Sequence, residues 1–145
     1  MVALVDPRLV ARHALCRRQL GEVDEALLEL ETARKAHPTN TEILLEYGNA
    51  LLAIGESRGE PQSLLKAKRA FQSALHMEPT NIQVKLNLAY ALTGEGTPLA
   101  RGLAWEAMTG VLRLEPTNIK ALEARAVVSY QAGTTHLGAL LDVKP

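Results

Sequence analysis

At 145 residues the chain is long enough for one domain with a hydrophobic core, and 47% of its residues are apolar but only 3% are aromatic. Sixteen basic and sixteen acidic residues cancel, which argues against a nucleic-acid-binding protein that relies on bulk charge. Cys16 is the single cysteine, so an intrachain disulfide is excluded and a reducing compartment fits.

The composition predicts an all-α fold, because Leu and Ala favour helices and no run of β-branched residues alternates as in a strand. No apolar run approaches the roughly 20 residues of a membrane span, and residues 1–10 lack the pattern of an export signal. We therefore expect no membrane insertion. The expected location is the cytoplasm, or the periplasm if the chain is a domain excised from a tethered or exported protein.

The tripeptide Pro-Thr-Asn recurs at 38–40, 79–81 and 116–118. Twelve, eight and five residues before each proline stand a small, a large and a small residue, which share one helix face because they are four and three positions apart. In chain order these triplets are Ala26, Leu30 and Ala33; Ala67, Phe71 and Ala74; and Ala104, Met108 and Val111. Each triplet predicts the buried face of a helix that ends near its proline.

A second apolar pattern follows each tripeptide and predicts another helix. Its members are Leu44, Tyr47, Gly48 and Leu51; then Leu88, Ala89 and Leu92; then Leu122 and Ala126. A glycine is expected to close each helix of this kind, because glycine accepts the left-handed conformation that ends a helix. These glycines are Gly21, Gly55, Gly96 and Gly133.

The tripeptide itself is expected to be a stop-and-cap signal without chemistry of its own. Proline ends the preceding helix, and Thr and Asn offer side-chain oxygens to the free N–H groups of the next one. Thr39 with Glu42, and Thr80 with Gln83, also fit a capping box.

Two further prolines predict where the second helices of the second and third repeats begin. Pro61 and Pro98 each lie six residues before the first alanine of a triplet, and Thr97 can cap the helix that Pro98 opens. The residues 56–60 are then expected to form an exposed loop.

These features resemble the tetratricopeptide repeat, a helix-turn-helix unit. The resemblance divides a single domain into repeats at about 7–40, 41–81 and 82–118 and a partial fourth at 119–141, whose first helix is expected to end near Ala132. It implies an α-solenoid of antiparallel helix pairs, with a concave face lined by first-helix residues. The best-matching repeat, the second, has Leu44, Tyr47, Gly48, Leu51, Ala67, Phe71, Ala74 and Pro79.

By resemblance, the concave face is a peptide groove. Its residues would be Arg8, Arg12, Leu15 and Arg18; Leu45, Glu46, Asn49 and Leu52; Gln83, Leu86, Asn87 and Tyr90; and Lys120, Glu123, Val127 and Tyr130. Asn side chains can donate to and accept from a peptide backbone, while exposed Leu and Tyr supply apolar surface. The alternative is that a neighbouring helix covers these leucines.

Some tetratricopeptide domains hold a partner's terminal carboxylate with a lysine–asparagine clamp. The corresponding positions here are Ala11, Leu15 and Glu46, and Glu46 would repel a carboxylate, so this clamp is not expected. Arg8, Arg12 and Arg18 could bind an acidic segment or form a solvated helix face.

Residues that could carry chemistry are few. His13 and Cys16 lie three apart, yet no second pair completes a metal site, and Cys16 is expected to be buried. No phosphate loop, carboxylate pair or nucleophile elbow occurs, so neither an enzyme nor a cofactor is expected.

The sequence thus predicts a non-enzymatic adaptor that binds a peptide or helix of a protein partner. Two alternatives stay open. Gly59-Glu60-Pro61 followed by Leu64-Leu65 resembles tetratricopeptide domains of bacterial cytochrome c maturation, which are periplasmic chaperones. Alternatively, open stack ends, with Leu137, Leu140 and Leu141 in the tail, could make the protein self-associate as a homo-oligomer.

Overall fold

A computed structural model describes residues 6–141 of the chain, and the side chains of residues 6–133. Within that part the fold is all-α, without strands. The helices are α1 (Pro7–Gln19), α2 (Val23–Ala36), α3 (Thr41–Arg58), α4 (Pro61–Met77), α5 (Ile82–Glu95), α6 (Pro98–Leu114) and α7 (Ile119–Leu141). The chain forms two compact units, Met1–Val84 and Lys85–Pro145, whose boundary falls inside α5.

In the first unit, α1 packs against α2 and α3, α2 packs against α3, and α3 packs against α4. The two predicted triplets of this unit are at most 1% exposed, so they form its core as expected. Gly48 lets α3 approach α4 closely, since a Cβ at this position would lie 2.5 Å from Cε1 of Phe71. The small residues of the repeat pattern therefore set the spacing between helices.

In the second unit, α6 packs against α7. Ala104, Met108 and Val111 are fully buried, as the third triplet predicts, and Ala89 is buried with them. The expected starts of α4 and α6 are also confirmed, because these helices begin at Pro61 and Pro98.

The asparagine of each tripeptide is the cap of the following helix. Oδ1 of Asn40, Asn81 and Asn118 accepts the backbone N–H three residues later, at 3.0, 3.1 and 3.0 Å. Nδ2 of Asn81 and Asn118 donates to Oε2 of the glutamate three residues earlier, at 2.7 and 2.8 Å. The predicted capping boxes at Thr39 and Thr80 are wrong, because the side chain that accepts the free backbone N–H is that of the next residue, Asn40 or Asn81.

This arrangement also affects an ionisable group. Hydrogen bonds from Asn81 and from Thr41, the first residue of α3, lower the pKa of Glu78 below its ordinary value. The carboxylate therefore links the cap of α5 to the start of α3 within the first unit. Thr97 caps α6 as expected, accepting from the Ala100 N–H at 3.1 Å.

Two of the predicted helix-ending glycines are correct and two are wrong. Gly21 and Gly96 have positive φ angles of 87° and 70° just beyond α1 and α5. Gly55 instead lies inside α3, where a Cβ would meet the side chain of Leu64 at 2.6 Å, so close packing of α4 explains this glycine. Gly133 lies inside α7.

The turn between α3 and α4 is shorter than the predicted loop at 56–60. Gly59, with φ 63°, is the C-cap of α3, and Glu60 directly precedes Pro61 at the start of α4. Residues 56–58 remain helical. The Gly59-Glu60-Pro61 motif therefore has a structural role as a tight helix-ending and helix-starting turn.

The face that α7 buries differs from the prediction. Leu122 is 44% exposed and Ala126 is also exposed, whereas Ala121 and Val128 are 0% and 4% exposed. Within the second unit α7 packs against α6, and the side of α7 that is buried bears Ala121 and Val128. The tail leucines on which self-association was predicted lie outside the described side chains.

Candidate functional site

An apolar pocket of about 340 Å³ opens between α5 and α7 in the second unit. Leu86, Tyr90 and Thr93 line it from α5, and Lys120, Glu123, Ala124 and Val127 line it from α7. The residues of each set follow the i, i+3, i+4, i+7 pattern of one helix face. Both helices are first helices of their repeats, and these faces carry the residues that packing within the repeat does not cover.

The pocket offers apolar surface with a polar rim. Tyr90 is 59% exposed and Val127 is 47% exposed, although both carry large apolar groups. Thr93 donates its hydroxyl to the carbonyl of Ala89 at 2.8 Å, which satisfies the hydroxyl within the helix. The pocket can therefore bury an apolar side chain while Lys120 and Glu123, both exposed, contact polar groups beside it.

Five of the residues expected in the groove lie together here: Leu86, Tyr90, Lys120, Glu123 and Val127. Thr93 and Ala124 were missed. Thr93 lies seven residues after Leu86, so extending the helical spacing by one turn would have found it. Tyr130 is 73% exposed but does not line the pocket, and neither does Asn87.

The matching face of the first unit is polar and internally paired. Nη2 of Arg18 lies 3.4 Å from Oε2 of Glu46, whose side chain is only 14% exposed. Burial raises the pKa of Glu46, while the nearby Arg18 charge and a hydrogen bond with Asn49 oppose that rise. Leu45 is half-buried. Leu52 is only 8% exposed, so this leucine is covered within the protein, as the alternative to a groove role predicted.

The arginines of α1 are not equivalent. Arg18 pairs with Glu46, and its expected role in binding an acidic segment stays a prediction. Arg8 is exposed and its Nε lies 3.8 Å from Oδ1 of Asp6, the residue that caps α1, while Arg12 is exposed. Ala11, a position of the carboxylate clamp, is 3% exposed and belongs to the core.

The expected burial of Cys16 is wrong, because this residue is exposed. α1 buries Val10, Ala11 and Ala14, and a position two residues beyond Ala14 is turned about 200° around the helix. Nδ1 of His13 lies 2.7 Å from Oε1 of Glu29 in α2. Among the described residues, no group of three or more His, Cys, Asp or Glu side chains could hold a metal ion.

In the described part of the chain, no helix combines the length and the apolar character that a membrane crossing requires.

No family model matches the chain. One curated relative, human tetratricopeptide repeat protein 6, is 28% identical over 143 residues, which are 99% of this chain and 26% of that protein. The chain thus spans about a quarter of the length of the curated relative that it matches.

Solved structures share the fold at low sequence identity. The first TPR domain of Spaghetti (RPAP3), bound to the HSP90 peptide SRMEEVD, superposes with a TM-score of 0.75 at 16% identity, covering 88% of this chain and 93% of that one. The second TPR domain of human RPAP3, in complex with the HSP70 peptide SGPTIEEVD, gives 0.70 at 18%, covering 86% and 98%. YrrB, a TPR protein with an unusual peptide-binding site, gives 0.69 at 19%, covering 85% and 58%.

Proposed function

We propose that this chain, which has the fold of the solved TPR domains, is a non-enzymatic adaptor that binds a peptide or helix of a partner protein. The observation that carries this proposal is the open apolar pocket between α5 and α7. Exposed apolar surface of this kind is typical of a binding site, because it lowers the free energy only when a partner covers it. Peptide binding by the two RPAP3 domains and by YrrB supports the same conclusion.

The partner segment is expected to insert an apolar side chain between Tyr90 and Val127. Lys120 and Glu123 at the rim would then contact its flanking polar groups. Leu45, Asn49 and Asn87 stay candidates for further contacts, and Asn49 would exchange its hydrogen bond with Glu46 for one with the partner backbone. Arg8 and Arg12 stay candidates for an acidic part of the partner.

The acidic peptides bound to the RPAP3 domains are not the expected ligand of this groove. Ala11 is in the core, Leu15 cannot bind a carboxylate, and Glu46 carries the same charge as the ligand. Binding would instead depend on burial of apolar surface in the pocket.

The test is selection of binding peptides from a displayed random library, followed by affinity measurements on two variants. Val127→Asp places a charge in the pocket, whereas Leu122→Asp places one on the same helix outside it. The two residues are similarly exposed, at 47% and 44%. We expect Val127→Asp to abolish binding and Leu122→Asp to retain it, with unchanged circular dichroism in both. Equal binding by both variants would refute the pocket as the site.

The asparagines need a separate test. Asn49→Ala combined with Asn87→Ala is expected to weaken binding of the selected peptides while leaving the helical spectrum intact. Unchanged affinity would remove both residues from the site without affecting the role of the pocket.

A second candidate function is self-association. Leu99 and Leu103, which lie four residues apart on one face of α6, are 75% and 43% exposed and could pack against a second copy. Sedimentation at several concentrations tests this alternative. A molecular mass that stays that of a monomer at every concentration would exclude it.

A further inference from the structure

A second cleft, of about 430 Å³, lies in the first unit among α2, α3 and α4. Leu44, Tyr47 and Ala70 supply apolar surface. Four cationic side chains, one carboxylate and one hydroxyl complete the lining: Arg34, Lys35, Lys66, Arg69, Glu31 and Ser73. The cleft therefore combines an apolar floor with a strong local excess of positive charge.

These four cations differ from three other arginines of the first unit. Arg17, Arg18 and Arg58 all form ion pairs, the shortest being 2.6 Å between Arg58 Nη2 and Asp24 Oδ2. Among the described residues, by contrast, no carboxylate oxygen lies within 4.0 Å of a side-chain nitrogen of the four cleft cations. Ion pairs thus neutralise these three arginines, whereas the four cations of the cleft keep their charge.

The position of Arg34 is fixed by stacking. Its guanidinium carbon lies 4.7 Å from the centroid of the Tyr47 ring, and Tyr47 is only 8% exposed. Its Nε is buried without a hydrogen-bond partner in the described part of the chain. Stacking on an aromatic ring pre-organises a guanidinium for a planar anion such as a carboxylate.

Stabilisation of a helix end accounts for only two of the four cations in the cleft. Arg34 and Lys35 lie in the last turn of α2, where cations are favoured by the helix dipole. Lys66 and Arg69 lie far from the C-terminal end of α4, so the dipole does not explain them. Their convergence with the α2 pair indicates a shared anionic ligand.

We propose that this cleft binds an acidic segment of a protein partner, with carboxylates at the four cations and an apolar side chain on the floor of Leu44, Tyr47 and Ala70. The apolar floor and the rim carboxylate of Glu31 favour a peptide over a nucleic acid, whose backbone is uniformly anionic. The zero net charge of the whole chain also gives no bulk attraction for a polyanion. The cleft shares no lining residue with the α5–α7 pocket, and this proposal does not rest on that pocket.

The probe is a short fluorescent peptide in which glutamates alternate with leucines, compared with the same peptide carrying glutamine in place of glutamate. Fluorescence anisotropy at two salt concentrations measures binding. We expect the acidic peptide to bind more tightly than its glutamine counterpart, with the difference shrinking at high salt. Equal binding of the two peptides would overturn the proposal. It would not contradict the role of the apolar pocket, because both peptides carry the same leucines.

Charge reversal then localises the interaction. Lys66→Glu combined with Arg69→Glu changes two exposed residues and is expected to weaken the acidic peptide about tenfold or more. Arg101→Glu combined with Arg113→Glu makes the same change in net charge outside the cleft and is the control. Equal losses in both double variants would overturn the assignment to this cleft. Tighter binding of anionic lipid vesicles than of the peptide, through Lys66 and Arg69, would overturn the choice of partner.

Discussion

Replacing Gly48 with alanine tests the close approach of α3 and α4. A Cβ at this position would lie 2.5, 2.8 and 2.9 Å from three carbons of the Phe71 ring, which is fully buried. Carbon atoms prefer separations of about 3.5–4.0 Å, so the ring or the helices must move by about 1 Å. Overpacking of this kind costs about 1–3 kcal/mol. Alanine also favours the helix by about 1 kcal/mol relative to glycine.

The short distances place the clash near the upper end of that range, so we expect Gly48→Ala to lower the free energy of unfolding by about 1–2 kcal/mol in total. Urea unfolding followed by circular dichroism measures this value. Gly102→Ala is the matched control, because Gly102 also lies inside a helix but nothing stands within 4 Å of its added Cβ. It should stabilise the protein by about 0.5–1 kcal/mol through helix propensity alone. If both variants gained stability equally, the close packing of α3 on α4 would be refuted.

Ala67→Leu should also destabilise the first unit by about 1–3 kcal/mol, because Ala67 is fully buried; an unchanged melting temperature would contradict the repeat register. Asn81→Ala should cost about 1 kcal/mol through loss of the α5 cap, whereas Thr80→Ala should change stability by less than about 0.5 kcal/mol, as urea titrations can show. Glu46→Gln should stabilise the protein at neutral pH. The raised pKa of Glu46 means that its ionised form is disfavoured on folding, so wild-type stability falls as pH rises from 4.5 through the folded pKa. The advantage of Glu46→Gln should therefore disappear below about pH 4.5, and a variant less stable than the wild type at pH 7 would contradict the dominance of burial.

The candidate site was only partly predictable. Helical spacing and the family resemblance placed Leu86, Tyr90 and Val127 on first-helix faces, and the structure brings these three residues into one pocket. The pairing of Arg18 with Glu46 was not foreseen, because their separation of 28 residues leaves no periodic signal. The basic cleft could not be predicted for the same reason, since its cations come from two helices that only tertiary packing brings together.

The sequence by itself determined the buried triplets through helical periodicity, the caps to within one residue through the Pro-Thr-Asn tripeptides, and the starts of α4 and α6 through their prolines. Those features are local, because helix geometry and the restrictions of proline act over a few residues. Tertiary structure decided what each small residue does: Gly59 ends α3, whereas Gly55 admits α4 against it. It also decided exposure, leaving Leu122 and Cys16 uncovered, because burial depends on whether another helix lies opposite a given face.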